Sequence, residues 1–545
     1  MRALLAALLF VLPPPVQAAE RHMVAAAHPL AAEAGLAMLR QGGGAVDAAI
    51  AAQMVLTLVE PQSSGIGGGA FLLHWNAASA KVTSWDGRET APAAARPERF
   101  LDEAGKPLPF RQAVVGEGSV GVPGVVAMLA EAHQRHGKLA WATLFQPAVA
   151  LAEAGVPVSP RLRAALAADE DLRRDEPARS YFYGADGQPV AMLRNPELAA
   201  TLRLIAAEGP RAFYEGPVAR DIALAAGGGM TALDLAGYRA VERPAVCGPY
   251  RGHTICGMGP PSSGGVAVLQ ILGLLERADF AAAAPMSPRA VHLVAEASRL
   301  AFADRARYLA DSDFVPVPVH GLLAPDYLDV RAALIGAASM GRAEAGEPAF
   351  AWPWAPSLGE GRPGTSHLSI VDAWGDAVAM TTTVEGPFGA KRMVRGFPLN
   401  NELTDFEFMP VEAGRPAANR VEPGKRPRSS MAPTLVFDSQ GRLRLVTGSP
   451  GGGNIIGYVV KAVVAAIDWA MDPQAAAALP NFGSRNGPTE IEAGTALEAI
   501  VPDLRALGHE IRLRALDSGI QTIAIGPAGL TGGADPRREG VALGD

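Results

Sequence analysis

Residues 362–371 read Arg-Pro-Gly-Thr-Ser-His-Leu-Ser-Ile-Val. The loop ends at Gly364. From Thr365 the pattern alternates, with Leu368 and Ile370 on one face and Ser369 and Val371 on the other. Thr365 therefore opens a strand directly after a loop, where its hydroxyl can attack the preceding carbonyl, that of Gly364. Glycine leaves the approach clear because it has no Cβ. Hydrolysis of the resulting ester splits the chain and makes Thr365 an N-terminus. Its α-amine, with an ordinary pKa of about 7.7–8.0, then lies beside its own hydroxyl as a general base. Thr with its own N-terminal amine is an established nucleophile–base pair. By itself a Gly-Thr step means nothing; the surrounding sequence gives it meaning.

Downstream come Thr381-Thr382-Thr383, Asn400-Asn401-Glu402-Leu403-Thr404-Asp405, Lys425-Arg426-Pro427-Arg428-Ser429-Ser430-Met431 and Thr447-Gly448-Ser449-Pro450-Gly451-Gly452. Upstream are Pro61-Gln62-Ser63-Ser64-Gly65-Ile66-Gly67-Gly68-Gly69, Asp86-Gly87-Arg88-Glu89-Thr90-Ala91-Pro92 and Pro260-Pro261-Ser262-Ser263-Gly264-Gly265. In this order, over nearly the whole mature chain, they resemble the γ-glutamyltranspeptidase (glutathione hydrolase) family of N-terminal-nucleophile hydrolases. The resemblance implies a four-layer αββα sandwich built jointly by two fragments of one autocleaved precursor. The fragments would be a large subunit, 19–364, and a small subunit, 365–545, cut between Gly364 and Thr365.

Residue by residue, the resemblance makes Thr365 the nucleophile and Thr383 its hydrogen-bonding partner. Gly451 and Gly452 match the oxyanion hole, where backbone N–H donors are needed and Gly lets the carbonyl approach. Arg88 matches the arginine that forks onto the substrate α-carboxylate, helped by Ser429 and Ser430. Asp405 matches the acid that binds the α-ammonium. Glu385 and Glu402 stand where some members carry an amide, so three carboxylates surround the place for one ammonium. Glu89 either orients Arg88 or faces solvent. Residues 406–424, where some members carry a lid with a Tyr, contain none and look shorter. A more open pocket would favour hydrolysis over transfer.

The 545 residues allow a large core, and 49% hydrophobic with 19% charged residues describes a folded soluble chain. A net charge of −7 gives no reason to expect nucleic acid or an anionic membrane as partner. Residues 1–18 read as a secretory signal: Met1-Arg2, an apolar run over 3–12, and Val16-Gln17-Ala18 before the cut. No later stretch is apolar enough to span a bilayer, so a periplasmic or secreted protein without membrane anchor is expected. The two cysteines, Cys247 and Cys256, flank Gly-Pro-Tyr-Arg-Gly-His-Thr-Ile. With Arg251-Gly252 as a two-residue turn they face each other at a non-hydrogen-bonded pair. A disulfide and two buried thiols both fit.

Along the chain, helices are expected over 25–40, 45–58, 124–136, 266–276, 288–309 and 453–470, with mostly helix over 139–227. Polar loops are expected around 173–187, a break over 233–238, and an exposed linker over 348–363. Strands are expected at 71–75 and 81–85, at 367–372 and 377–384, at 434–437 and 443–447, and at 490–493, 509–513 and 522–525. Gly65-Ile66-Gly67-Gly68-Gly69-Ala70 follows a helix and opens a strand, the reverse of a dinucleotide fingerprint, so it reads as a packed turn. Ser262 and Ser263 resemble an N-cap rather than a catalytic serine. His292 reads as a packed or surface residue. No histidine pair has metal-ligand spacing, and neither metal nor cofactor is expected.

The leading reading is a γ-glutamyltransferase and hydrolase, with glutathione as donor and water, amino acids or peptides as acceptors. Alternatives on the same scaffold are a glutaryl (cephalosporin) acylase and a poly-γ-glutamate hydrolase. Against a glutaryl donor, which has no α-amine, stand Asp405 and the two glutamates. A non-catalytic exported binding protein is the alternative of another class.

Overall fold

The computed structural model describes residues 17–357, 359 and 364–545. The expected signal peptide lies outside the described residues over 1–16. Gln17 and Ala18, the last two residues of that expected signal, are described and form a short edge strand with Ala19.

Fourteen strands build two antiparallel sheets of seven. In chain order they are β1 (Gln17–Ala19), β2 (Met23–Ala26), β3 (Gly69–Asn76), β4 (Lys81–Gly87), β5 (Val241–Arg243), β6 (Val246–Tyr250), β7 (His253–Gly257), β8 (Gly364–Val371), β9 (Ala377–Glu385), β10 (Thr434–Phe437), β11 (Leu443–Gly448), β12 (Gln521–Gly526), β13 (Gly529–Ala534) and β14 (Val541–Gly544). The first sheet runs β14-β2-β8-β9-β3-β4-β5 and the second β1-β13-β12-β11-β10-β7-β6. The helices that cover them are α1 (Pro29–Arg40), α2 (Ala45–Val59), α3 (Val125–His136), α4 (Gln146–Ala154), α5 (Pro160–Ala168), α6 (Pro196–Glu208), α7 (Gly264–Arg277), α8 (Pro288–Tyr308) and α9 (Ile455–Ile467).

The period-two pattern of β8 explains its place. Leu368 and Ile370 join Val24, Leu72, Val378 and Met380 against α1, α2 and α3. Val371 turns the other way, with Met23, Ala25, Leu73 and Ala379, onto Leu435, Val446 and Ile523 of the second sheet. Both faces of β8 are buried, so a one-residue slip would reverse every side chain. Leu368 is fully buried; cutting it to Ala would cost about 2–5 kcal/mol. Helix α2 is buried along its whole length, as its almost all-apolar sequence required, and its Asp47, Gln53 and Thr57 are buried with it. With α7, α8 and α9 in the core on the second sheet's side, the layers are helix, sheet, sheet, helix.

Some expectations need correction. The helix expected from 25 begins at Pro29, because Ala25 and Ala26 belong to β2. His28 caps it through Nδ1, which accepts from Leu30 N, and Pro sits where its missing N–H costs nothing. The loop over 173–187 contains a helix, Glu176–Phe182, capped by Asp175. The break over 233–238 is instead a helical turn, Ala232–Gly237, closed by a Thr231–Asp234 capping box. Of the linker over 348–363, residues 358 and 360–363 lie outside the described residues. It is not wholly exposed: Trp354, Ala355 and Ser357 are buried, and Ala355 N and Ser357 N donate to Pro416 O and Ala306 O.

Candidate active site

Thr365 enters β8 at a bulge. Gly364 pairs with Glu385 but Thr365 pairs with Thr383, so Val384 is the extra residue on β9. A Cβ on Gly364 would lie 2.3 Å from Glu385 O, so only glycine fits. Thr365 Oγ1 donates to Thr383 Oγ1 at 3.3 Å, and Thr383 Oγ1 donates to Gly364 O at 2.7 Å. Glu385 N donates to Thr383 Oγ1 at 2.8 Å and fixes that hydroxyl. A hydroxyl chain thus runs from Thr365 through Thr383 to the Gly364 carbonyl. Both threonines are buried.

The glycine-rich turn before β3 is a packing device. A Cβ on Gly68 would lie 1.9 Å from Thr383 O, and one on Gly67 would lie 2.1 Å from Pro398 O. The turn lets the backbone behind Thr383 approach closely.

One cavity is lined by Thr365, Thr383, Arg88, Glu385, Glu402, Asp405, Ser429, Ser430 and Gly452, and also by Arg305, Arg428 and Gly359. The expected catalytic and substrate-binding residues other than Gly451 therefore meet around one cavity; Gly451 precedes the lining residue Gly452 but does not itself line it. Gly451 and Gly452 have φ of 140° and 57°, backbone that glycine adopts readily. They lie between β11 and the start of α9.

Arg88 differs from the expectation of an open fork. It is buried, its Nη1 bonds Glu402 Oε1, and its Nη2 donates to Asp405 Oδ2 at 2.6 Å. Nε donates to Pro427 O at 3.0 Å and Nη2 also to Arg428 O at 3.1 Å. Two of the three carboxylates thus hold Arg88. The third, Glu385, accepts from Asn401 Nδ2 and sits at a left-handed φ of 75°, which costs about 1–3 kcal/mol in a non-glycine residue. Glu89 does not face solvent; it is fully buried. Burial, then the charge of Glu402, pushes its pKa well up. Glu402 is also pushed up by burial, against the pull of Arg88.

Ser262 and Ser263 precede α7 as expected: Ser263 is the N-cap residue but its hydroxyl makes no capping bond, while Ser262 Oγ accepts from Gly264 N, the first residue of the helix, at 3.0 Å. Ser263 Oγ donates to Ser429 O at 2.6 Å, and Ser262 Oγ to Met431 O at 2.6 Å. They stitch the 429–431 turn in place. Arg305 of α8 completes the stitch: its Nε donates to Ser263 Oγ at 2.8 Å and its Nη2 to Ser430 Oγ at 2.7 Å. Sequence reasoning missed Arg305, because an arginine near a helix end reads as an ordinary basic residue there. It also missed Glu60, buried at the end of α2. Glu60 Oε2 accepts from Ser366 Oγ at 2.7 Å while Oε1 pairs with Arg161 at 2.6 Å.

The stretch over 406–424 packs Phe406 and Val421 into a small cluster with Phe100 and Leu403, and Phe408 stacks on Phe100. Away from the site, His292 is buried against His509 rather than at the surface, Nδ1 to Nε2 at 2.8 Å, with Glu296 nearby. His292 Nε2 meets Gly336 O and His509 Nδ1 meets Thr489 Oγ1. Glu296 accepts from Arg299, Ser339 and Met340. The two imidazoles bond each other, and His509 Nδ1 lies 4.0 Å from Glu296 Oε1. Among the described residues no helix is long and apolar enough to cross a membrane.

The family profile described as Gamma-glutamyltranspeptidase matches residues 31–545. The "Glutathione hydrolase proenzyme" of Bacillus subtilis (strain 168) is 37% identical over 96% of this chain and 91% of its own length. The "Acylase ACY 1 proenzyme" of Pseudomonas sp. (strain SE83) is 39% identical over 96% of this chain and 93% of its own. The crystal structure of cephalosporin acylase from Bacillus halodurans superposes with a TM-score of 0.85 and 27% identity, over 100% of this chain and 99% of that one. Nucleophile geometry, layer order and these similarities agree: the chain belongs to the γ-glutamyltranspeptidase family of self-processing enzymes.

Proposed function

We propose that the chain is a γ-glutamyltransferase and glutathione hydrolase that cuts itself between Gly364 and Thr365. The hydroxyl chain from Thr365 through Thr383 to the Gly364 carbonyl carries this reading. Thr383 polarises the carbonyl that the Thr365 oxygen attacks; the amide becomes an ester, and water releases residues 19–364 from 365–545. The freed amine then takes the Thr365 hydroxyl proton as that oxygen attacks the γ-amide of the donor. The oxyanion faces Gly451 and Gly452, and the amine returns the proton to the leaving group. Water or an acceptor amino acid or peptide resolves the γ-glutamyl ester.

The corner around Arg88 supports a γ-glutamyl donor. A zwitterionic α-amino acid head offers a carboxylate to Arg88, Ser429 and Ser430 and an ammonium to Glu402, Asp405 and Glu385. It replaces the internal ion pairs charge for charge. A glutaryl group would take Arg88 and leave the carboxylates without a cation, which is costly when buried. Residues 1–18 fit an export signal, and the Cys247–Cys256 disulfide fits an oxidising compartment.

The test is a denaturing gel with N-terminal sequencing, repeated for Thr365→Ala. Two bands are expected, the smaller beginning at Thr365, and one inactive band for the variant. A single full-length band that still cleaves substrate overturns the mechanism. Comparing γ-glutamyl-anilide with glutaryl-anilide separates this donor from that of an acylase.

A further inference from the structure

The nucleophile is also held from the far end of the chain. Arg538 Nη1 donates to Thr365 O at 3.0 Å, Nε to Ser518 O at 3.2 Å, and Nη2 to Asp517 O at 3.3 Å. All three acceptors are main-chain carbonyls. Its neighbour Arg537, by contrast, pairs with Glu492 and Asp535. Arg538 is buried, and burial, then the charge of Arg161, pushes its pKa down to about 10. A Cβ on Gly519 would lie 2.6 Å from Arg538 Cδ, so that glycine makes room for the arginine stem. The nitrogen and carbonyl oxygen of one residue are at most about 3.6 Å apart. The guanidinium therefore lies within about 6–7 Å of the Thr365 nitrogen.

We propose that Arg538 is a positioning residue that fixes the Thr365 backbone and holds its freed α-amine in the neutral, proton-accepting form. A like charge at this range disfavours the ammonium. The other charged groups around the amine are largely matched. Glu60, reached through Ser366, pairs with Arg161 of α5. Glu402 and Asp405 pair with Arg88, and Asp535 with Arg537. From β9, Glu385 is held by Asn401. Arg305 and Arg428 face the cavity from the carboxylate side, where Arg305 bonds Ser263 and Ser430, and Arg428 bonds the carbonyls of Arg305 and Ser357. Asp517 bonds Arg538 through its carbonyl, and its carboxylate, with those of Glu60 and Asp535, partly offsets the effect of burial and Arg161 on that guanidinium. The inference rests on the amine being the general base.

The test is kcat/KM against pH for processed wild type, Arg538→Met and Arg538→Lys on a γ-glutamyl anilide. In Arg538→Met the acid limb should move up by about one pH unit, and in Arg538→Lys it should return toward wild type. A lower plateau with an unmoved limb means a strut only and overturns the proposal. Should the variants not process, NMR with isotope-labelled threonine titrates the Thr365 amine in wild type. A value below the ordinary range of about 7.7–8.0 supports the proposal, and one within or above it overturns it. Failure of the general-base reading is distinguishable, because N-terminal sequencing of active enzyme would then find Thr365 still in peptide linkage.

Discussion

Thr383 does two things with one hydroxyl: it accepts from Thr365 Oγ1, the proposed nucleophile, and donates to the Gly364 carbonyl, the proposed point of attack. Removing it by Thr383→Val should slow self-cleavage by about 10²–10³-fold, the size of a lost oxyanion donor. Thr383→Ser should restore most of the rate, read as conversion of the full-length band with time. Gly364→Ala should block the cut more completely, since its Cβ would meet Glu385 O at 2.3 Å; cleavage at the wild-type rate would show that the approach is not as drawn. At the substrate corner, Asp405→Asn removes one carboxylate that a zwitterion would satisfy. The ratio of γ-glutamyl to glutaryl hydrolysis should fall by about tenfold or more, and an unchanged ratio would dissociate Asp405 from ammonium recognition.

At the scale of elements, β8 carries a pH dependence. His367 lies on the face turned to the second sheet, bonded to Thr381 and Ser369, and burial pushes its pKa down to about 3. His74 of β3 is likewise pushed down to about 3, by burial first and then by His136. An unfolded histidine titrates near about 6.5. Between those values the unfolded chain binds protons that the folded chain refuses, so stability is fullest above about pH 6.5 and declines on acidification toward pH 3. Thermal melts of His367→Gln should show a shallower loss over that window than wild type; an equal slope would remove His367 from the account. The β6–β7 hairpin turns through Arg251 and Gly252, both at positive φ, as a tight two-residue turn requires. Cys247 and Cys256 face each other with Cα atoms 4.1 Å apart and are disulfide-bonded, the closer type of pair that counting from the turn gave. Because β6 is an edge strand, Cys247→Ser should lower stability by about 2–3 kcal/mol in denaturant melts, with little change in kcat.

At the scale of the molecule, the proposed cut would not separate two bodies. Strands β8 and β9, which follow the cut, lie between β2 and β3, which precede it; β10 pairs with β7 across the same divide in the other sheet. Separating the fragments would open both sheets and their shared core. The processed protein should therefore elute as one species under native conditions, melt in a single transition, and split into two bands only in denaturant. Free fragments in native buffer would contradict this interleaving.

The alternation from Thr365, the glycine before it, the almost all-apolar run over 45–58 and the hairpins around β3–β4 and β6–β7 could be read from the chain alone. Their causes are local: side-chain period, turn geometry and the lack of a Cβ. So were the types of residue gathered at the site, once the ordered motifs were set beside the family they resemble. The partners of those residues were not legible. That Arg88 is held by Glu402 and Asp405, that Arg305 anchors Ser430, and that Arg538 grips the Thr365 carbonyl depend on contacts between residues 125 to 317 positions apart. Ion pairs and hydrogen bonds follow distance in space, and only the folding of both sheets around one cavity sets those distances.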